Sequence, residues 1–389
     1  MYEPAHRPIP NLAFLWPAFA AATASDMATA IARHFSNLAM GADGSEVPPP
    51  KWTTPNRIAL ELKTVQLRDF STATRNPAAG SFPALVVAPF ALHGAVLSDL
   101  ATDHSLVGAM RDAGLTRLFV TDWHSATADM RFLGVDDYLA ALNVLVDRIG
   151  PPVDLIGLCQ GGWMSMIYAA RFPQKVRRLV LAAAPIDISA APSPLSVLAE
   201  ASPLAAFHQL VGLGDGLVPG RKVQKFWMPS AVEAEDIGRL LQTDAADSAA
   251  FAQLEAAFRA WSAYTLDLPG VFFLETVERL YKRNELATGG FIALGQTIRL
   301  ATITAPLFLI AARDDELVAP QQLFAAEHLL GTAPRDICKV TAPCRHLGLF
   351  MGRKVLRNVW PGVVRWLTSS PHADHGREPP QLRAMEQAR

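Results

Sequence analysis

The sequence contains five short apolar runs that are continuous rather than alternating, with helical stretches between them. The runs cover residues 84–89, 117–123, 153–158, 178–185 and 305–312. Continuous runs of this length are typical of strands that are buried on both faces of a parallel sheet. The helical stretches lie at 104–113, 136–149, 162–172 and 321–330, which predicts right-handed strand–helix–strand units. We expect an α/β fold with a mostly parallel sheet and helices on both faces.

The order of these segments divides the chain into three parts. Residues 1–75 are expected to form an N-terminal helical and strand segment, since 59–71 alternates as a pair of strands does. Residues 76–370 form the α/β domain. Within it, about 190–290 breaks the strand–helix rhythm, which we interpret as a helical cap insertion; a separate small domain is the alternative. Residues 371–389 are polar and contain prolines, and we expect them to form a flexible tail.

Composition excludes several classes of function. The 35 basic and 36 acidic residues give a net charge of −1, so no electrostatic footprint for nucleic acid is present. No run of about 18 uninterrupted apolar residues occurs, and we expect no transmembrane segment. The three cysteines form no CxxC pair, which indicates reduced thiols rather than disulfides or a zinc site.

The N-terminus leaves two interpretations open. Residues 11–24 resemble a weak signal-peptide core, but Pro17 interrupts the run and the preceding segment carries a single arginine. We therefore favour an amphipathic helix that packs on the body or touches an apolar surface. The predicted location is the cytoplasm.

The stretch GLCQGG at 157–162 follows a predicted buried strand and precedes a predicted helix. This layout is typical of a nucleophile elbow, a sharp turn that lifts a nucleophile above the carboxyl end of its strand. Cys159 occupies the nucleophile position, where the amides of the helix N-terminus favour a thiolate. The alternative is that Cys159 is a small buried apolar residue, as many free cysteines are.

A thiol nucleophile needs a base, and the base needs a group that orients it. In α/β-hydrolase chains these partners follow the nucleophile in the order acid, then histidine. Asp315 follows a buried run and fits the acid position better than its neighbour Asp314, which stays an alternative. His346 precedes the last helix and is the predicted base, although it could instead cap that helix. His93 and His104 precede the nucleophile and fall in the wrong order.

These residues predict acyl transfer through a thioester acyl-enzyme. Cys159 attacks an ester or thioester carbonyl, while Asp315 fixes the tautomer of His346. The oxyanion is held by the Gln160 N–H and by an amide of the loop near Phe90 and Ala91. The acyl group then passes to water, coenzyme A or a hydroxyl group. We expect no metal and no bound cofactor; coenzyme A enters only as acyl acceptor or leaving group.

The chain resembles two related enzyme groups over residues 50–368. Stretches similar to the polyhydroxyalkanoate synthases, especially the short class that works with a partner subunit, are 157–163, 103–115, 279–306 and 345–350. Stretches similar to the intracellular polyhydroxybutyrate depolymerases are 85–94, 119–123, 184–199, 266–277 and 348–361. The resemblance implies an α/β-hydrolase fold and places nucleophile, acid and base on Cys159, Asp315 and His346.

The resemblance leaves three functions to compare. Synthases usually have a histidine after the triad aspartate, and Glu316 stands there instead, so we favour an intracellular polyhydroxyalkanoate depolymerase. The alternative is a short-class synthase that polymerises 3-hydroxyacyl-CoA; the double glycine after Cys-Gln fits that group. A non-enzymatic granule-associated protein is the third. Expected partners are a polyester or thioester substrate and a granule surface, with a homodimer or a partner subunit left open.

Overall fold

The computed structural model describes residues 47–72, 82–221, 234–243 and 249–369. Its centre is an eight-stranded sheet in the order β1-β2-β4-β3-β5-β6-β7-β8. β1–β2 and β2–β4 pair antiparallel, and all other neighbouring strands pair parallel. The predicted mostly parallel sheet is therefore confirmed. The strands are β1 Arg57–Glu61, β2 Val65–Asp69, β3 Ala84–Val87, β4 Leu118–Trp123, β5 Val153–Leu158, β6 Val176–Ala182, β7 Leu307–Ala312 and β8 Ile337–Ala342.

Helices connect the strands of the described chain. Those before β7 are α1 Leu106–Asp112, α2 Val135–Ile149, α3 Gln160–Arg171, α4 Pro194–Ala201, α5 Leu204–Gly212, α6 Ala234–Leu241, α7 Ala249–Ala263, α8 Gly270–Glu275 and α9 Glu285–Thr288. Those after β7 are α10 Pro320–Phe324, α11 Ala326–Leu329, α12 Gly348–Met351, α13 Arg353–Asn358 and α14 Trp360–Thr368. A π-helical turn, Thr276–Lys282, joins α8 to α9. No described helix has the length and apolar character that crossing a bilayer requires.

Alternate residues of each central strand enter two apolar cores. In β5, Leu155 joins a core shared with α2 and α3, whereas Ile156 joins a core shared with α1 and α14. Both residues have no solvent exposure. Because successive side chains of a strand point to opposite faces, a strand that is apolar at every position needs cover on both sides. The prediction of helices on both faces is confirmed.

Several predicted boundaries differ from the structure by a few residues. The run 178–185 ends as a strand at Ala182, because Ala183 adopts φ 47° and leaves the extended conformation. The stretch 104–113 starts its helix at Leu106, since Ser105 caps that helix with its side chain. The stretch 321–330 forms two short helices, α10 and α11, rather than one.

The chain leaves the sheet after Ala182 and returns at Leu307. We call residues 183–306 the β6–β7 connection; its described part is mostly helical, and the predicted cap at 190–290 lies inside it. Apolar residues of α7 and α8 belong to the same two cores as the sheet. The predicted strand pair at 59–71 corresponds to β1 and β2. The interpretations of 11–24 and of the 371–389 tail lie outside the described residues.

Candidate active site

Cys159 lies in a sharp turn between β5 and α3. Its backbone has φ 48° and ψ −118°, a conformation that residues with a side chain seldom adopt. Strain of this kind persists where the surrounding structure enforces it, as at functional sites. The side chain is partly buried. The strand, the turn and the helix therefore have the arrangement that the nucleophile elbow predicts.

Three glycines make this turn possible by allowing close backbone contacts. A Cβ added to Gly161 would lie 2.0 Å from the carbonyl oxygen of Val87, at the end of β3. A Cβ on Gly157 would lie 2.5 Å from the Cα of Gly162. Real Cβ atoms do not approach so closely, so the first turn of α3 can rest against β3 and β5 only without side chains here. This contact also brings the loop after β3 next to the elbow.

Asp315 and His346 form a buried hydrogen-bonded pair. The Nδ1 atom of His346 lies 2.9 Å from each carboxylate oxygen of Asp315. The side chain of His346 is 3% exposed and that of Asp315 is 0% exposed. One oxygen of Asp315 also accepts the N–H groups of Leu317 and Val318 at 2.9 Å, which fixes the carboxylate. The alternative acid, Asp314, is exposed, so the structure selects Asp315 as the partner of His346.

The Cys159 side chain lies beside the ring of His346 and raises the pKa of that ring. Since Nδ1 of His346 is occupied by Asp315, the other ring nitrogen, Nε2, is the atom that faces the thiol. Burial lowers the pKa of His346, but the charges of Asp315 and Cys159 outweigh burial, so this pKa is raised well above its usual range. A basic imidazole beside the thiol is the group that can accept its proton during attack, and the thiolate is the reactive form of cysteine.

The predicted oxyanion donors also lie at this place in the fold. Gln160 is the first residue of α3, and the first backbone N–H groups of a helix have no partner within the helix. Its side chain accepts a hydrogen bond from the indole of Trp163 at 2.7 Å. Phe90 and Ala91 follow β3, and the Phe90 ring stacks on Tyr138 with centroids 4.7 Å apart.

Glu316 is a residue of this site that the sequence did not identify as functional. Its carboxylate accepts the backbone N–H of His346 at 3.1 Å and pairs with Arg345 at 3.2 Å. The contact ties the loop of Asp315 to the loop of His346. The sequence did mark this position, because Glu316 stands where the synthases usually have a histidine. Its contact with His346, however, is formed only in the folded chain.

The other histidines and cysteines of the sequence analysis lie in different surroundings. His104 is buried and its Nδ1 lies 2.8 Å from the carbonyl oxygen of Met351. The ring of His93 packs on Trp261 with centroids 4.6 Å apart. Burial, with nearby carboxylates, raises the pKa of Cys344 to about 12, so this thiol stays protonated. Among the described residues, no cluster of three His, Cys, Asp or Glu side chains could hold a metal ion.

A family model described as alpha/beta hydrolase fold matches residues 121–352, which is more than half of the 389-residue chain. The chain belongs to the α/β-hydrolase fold family. The predicted enzyme class, an ester hydrolase or acyltransferase of the α/β-hydrolase superfamily, is thereby confirmed. Among solved structures, a hydrolase from Pseudomonas aeruginosa PA01 is 15% identical with a TM-score of 0.49, and the match covers 81% of this chain and 98% of that chain.

Curated relatives of this α/β-hydrolase are poly(3-hydroxyalkanoate) polymerase subunits PhaC. The Synechocystis sp. protein is 28% identical, and the match covers 81% of this chain and 84% of that protein. The Allochromatium vinosum protein is 26% identical, with 75% and 82% covered. The resemblance to polyhydroxyalkanoate synthases is confirmed. Neither of these relatives is named as a depolymerase, so the expectation of a depolymerase is not supported and the alternative is favoured.

Proposed function

We propose that this α/β-hydrolase is an acyltransferase that polymerises 3-hydroxyacyl groups from coenzyme A thioesters, with Cys159 as nucleophile. The observation that carries the proposal is the match to two polymerase subunits over most of their length and most of this chain. The geometry of Cys159, His346 and Asp315 supports it, because polymerisation needs an acyl-enzyme and this arrangement can form one. The proposal replaces the depolymerase that the sequence analysis favoured.

The chemistry gives a reason for sulfur at position 159. When Cys159 attacks the acyl-CoA carbonyl, one thioester forms as another breaks, so the acyl group keeps its transfer potential. His346 takes the proton of the thiol and gives it to the departing sulfur of coenzyme A. An ester on serine would lose much of that potential before a new ester bond is made.

The second half-reaction uses the same base. The hydroxyl group of a second 3-hydroxyacyl unit attacks the thioester carbonyl, His346 accepts the hydroxyl proton, and the thiolate of Cys159 leaves. An ester bond has formed and the nucleophile is restored. The oxyanion in each half-reaction is held by the Gln160 N–H and by an amide of the loop at Phe90 and Ala91.

The proposal also covers the partners of the protein and its location in the cell. Both relatives are named as subunits, which supports a second protein subunit as partner. The granule surface, the homodimer and the cytoplasmic location stay predictions. Coenzyme A takes part as the leaving group of the first half-reaction.

The test incubates the full chain with 3-hydroxybutyryl-CoA and, separately, with native amorphous polyester granules. We expect release of coenzyme A together with growth of polymer, each measured by chromatography. Soluble monomers or oligomers from the granules without release of coenzyme A would establish the depolymerase and contradict the proposal.

Two cysteine variants complete this test. Cys159→Ala removes the nucleophile, and we expect turnover to fall by at least about 10³-fold. Cys338→Ala alters a partly buried cysteine on the edge strand β8 and should keep its activity. Unchanged turnover in Cys159→Ala would exclude this residue as nucleophile and would favour the non-enzymatic granule-associated protein.

A further inference from the structure

Tyr281 has a buried hydroxyl group that forms no hydrogen bond with any described residue. Only 7% of the residue is exposed. It belongs to the π-helical turn Thr276–Lys282, and turns of this kind are frequent at functional sites. A buried polar group without a partner costs free energy, and a phenylalanine would fill the same space without that cost. The hydroxyl group therefore needs an explanation.

The π-helical turn lies in the part of the β6–β7 connection that packs against the nucleophile helix α3. The ring of Trp163, one turn into α3, lies 6.3 Å from Phe272 before the turn and 6.5 Å from Phe291 after it. Lys282, the last residue of the turn, is anchored by a hydrogen bond to the carbonyl oxygen of Glu200 at 3.1 Å. Ring contacts before and after the turn thus hold this segment against α3, and Lys282 ties it to α4.

Cys159 lies within electrostatic range of the Tyr281 phenol. Burial, and after it the charge of Cys159, raise the pKa of Tyr281 above its usual range. The phenol is therefore neutral at any pH at which the protein works, and it can donate its O–H proton. A neutral phenol is therefore available as a donor in the segment that packs against α3, within electrostatic range of Cys159.

We propose that the Tyr281 hydroxyl donates a hydrogen bond to the oxygen on C3 of the acyl group bound at Cys159, and so selects 3-oxygenated acyl groups over plain ones. This inference rests on the proposed function. The carbonyl oxygen of the acyl group is assigned to Gln160 and the loop after β3, so the oxygen on C3, two carbons further along, is the next acceptor. A buried donor that is left unpaired penalises a substrate lacking this oxygen.

The test compares acylation of the full chain by 3-hydroxybutyryl-CoA and by butyryl-CoA in single-turnover experiments that follow release of coenzyme A. We expect the wild-type protein to prefer the 3-hydroxy substrate. Tyr281→Phe should lower that preference by about three- to tenfold, the effect of one net hydrogen bond. Tyr138→Phe is the matched control, because Tyr138 also has a buried hydroxyl without a described partner but lies in the core against Phe90; its preference should not change.

Three results would overturn the inference. An unchanged preference in Tyr281→Phe means that the hydroxyl does not contact the C3 oxygen. An equal fall for both substrates means that Tyr281 acts on the sulfur or the oxyanion. A melting temperature well below wild type means that the hydroxyl has a partner within the protein. Failure of the proposed function is distinct, since wild-type protein would then release no coenzyme A from either substrate.

Discussion

Asp314 and Asp315 are neighbours in sequence with different roles in the structure. Asp314 is exposed, whereas the Asp315 side chain is buried and contacts His346 through both carboxylate oxygens. A carboxylate in this position holds the imidazole in one tautomer and stabilises its protonated form. The residue pair therefore allows a matched experiment on the orienting acid.

We expect Asp315→Asn to lower the rate of coenzyme A release by about 10²- to 10⁴-fold, because an amide cannot stabilise the imidazolium. Asp314→Asn should stay within about twofold of wild type. Both variants are measured with saturating 3-hydroxybutyryl-CoA. A comparable loss in the two variants would show that the loop, rather than the contact with His346, determines activity.

The order of the candidate residues along the chain identified His346 as the candidate base, which their spacing alone could not do. The order nucleophile, acid, histidine separated His346 from His93 and His104, and the structure places His346 against both Cys159 and Asp315. The sequence could only rank Asp315 above Asp314, since adjacent residues in a loop face different directions. Burial decides between them, and burial is a property of the folded chain.

The turn between β5 and α3 depends on glycine residues, which have no side chain. Gly161 meets the end of β3 so closely that any Cβ would overlap the carbonyl oxygen of Val87 at 2.0 Å. Since both partners are backbone in buried elements, no flexible side chain can move aside. The elbow and the loop after β3 therefore keep their relative position only while residue 161 is glycine.

We expect Gly161→Ala to lower the free energy of unfolding by about 3 kcal/mol, as overpacking at a rigid contact does, and to abolish activity. Gly212→Ala, at the end of α5, is the control, because a Cβ there would meet nothing within 4 Å. Its free energy of unfolding should change by less than about 1 kcal/mol. Urea denaturation of the two variants makes the comparison, and a Gly161→Ala protein as stable as wild type would contradict the packing argument.

His93 connects the loop after β3 to Trp261 in α7 and to Tyr264, the residue that follows α7. The Nδ1 atom of His93 lies 3.3 Å from the carbonyl oxygen of Tyr264 and its Nε2 atom is enclosed. Burial lowers the pKa of His93 to about 4, although the bond to Tyr264 opposes the shift. The folded protein thus keeps His93 neutral at pH values where the unfolded chain binds a proton, so the stability that His93 contributes is lost as the pH falls from 6.5 towards 4.

Between pH 7 and pH 4, wild-type protein should lose about 3 kcal/mol more free energy of unfolding than His93→Phe, which follows from a pKa of about 4 against 6.5. Phenylalanine keeps the ring contact with Trp261. His328→Gln alters a side chain that is 80% exposed and serves as the control. Urea titrations at the two pH values measure the difference; parallel losses in wild type and His93→Phe would show that the ring is protonated in the folded state.

At the element scale, continuous apolar runs predicted the central strands but not the edge strand β8. Its residues Ile337–Ala342 are half exposed and include Lys339, so no continuous run marks them. The sequence pattern does not reveal the break between α10 and α11 either, because Ala325, which lies at the break, keeps helical angles of φ −55° and ψ −23°. Predictions from pattern succeed where both faces of an element are buried and fail where tertiary contacts set the boundary.

At the scale of the whole molecule, a buried ion pair joins the sheet to the C-terminal helix. Arg177, in β6, pairs with Asp154, in β5, and also donates to the carbonyl oxygen of Leu367 in α14. The Asp154 side chain is 2% exposed. Burial raises the pKa of Asp154 to about 6, although Arg177 opposes the shift, so the carboxylate is ionised at pH 8 and depends on its partner.

Arg177→Met leaves this carboxylate buried and unpaired, and we expect the free energy of unfolding at pH 8 to fall by about 3 to 5 kcal/mol. The double variant Asp154→Leu/Arg177→Met should be more stable than the single one, because the buried carboxylate that lost its ion-pair partner is also removed. Arg335→Met removes an exposed partner of Asp336 at 3.8 Å and should cost less than about 1 kcal/mol. A double variant no more stable than Arg177→Met would contradict this account.

The points where the chain departs from and rejoins the sheet lie on neighbouring strands. Backbone hydrogen bonds fasten both junctions, from Leu179 to Pro306 and from Ala183 to Ile310, each at 2.9 Å. The backbone anchorage at these two junctions does not depend on the identity of side chains, whereas the described helices α7 and α8 between them contribute apolar residues to both cores of the sheet. Recombination between related genes at 183 and 306, with core residues matched, would therefore exchange Tyr281, the residue proposed to select the substrate, while Cys159, Asp315 and His346 stayed with the parent scaffold.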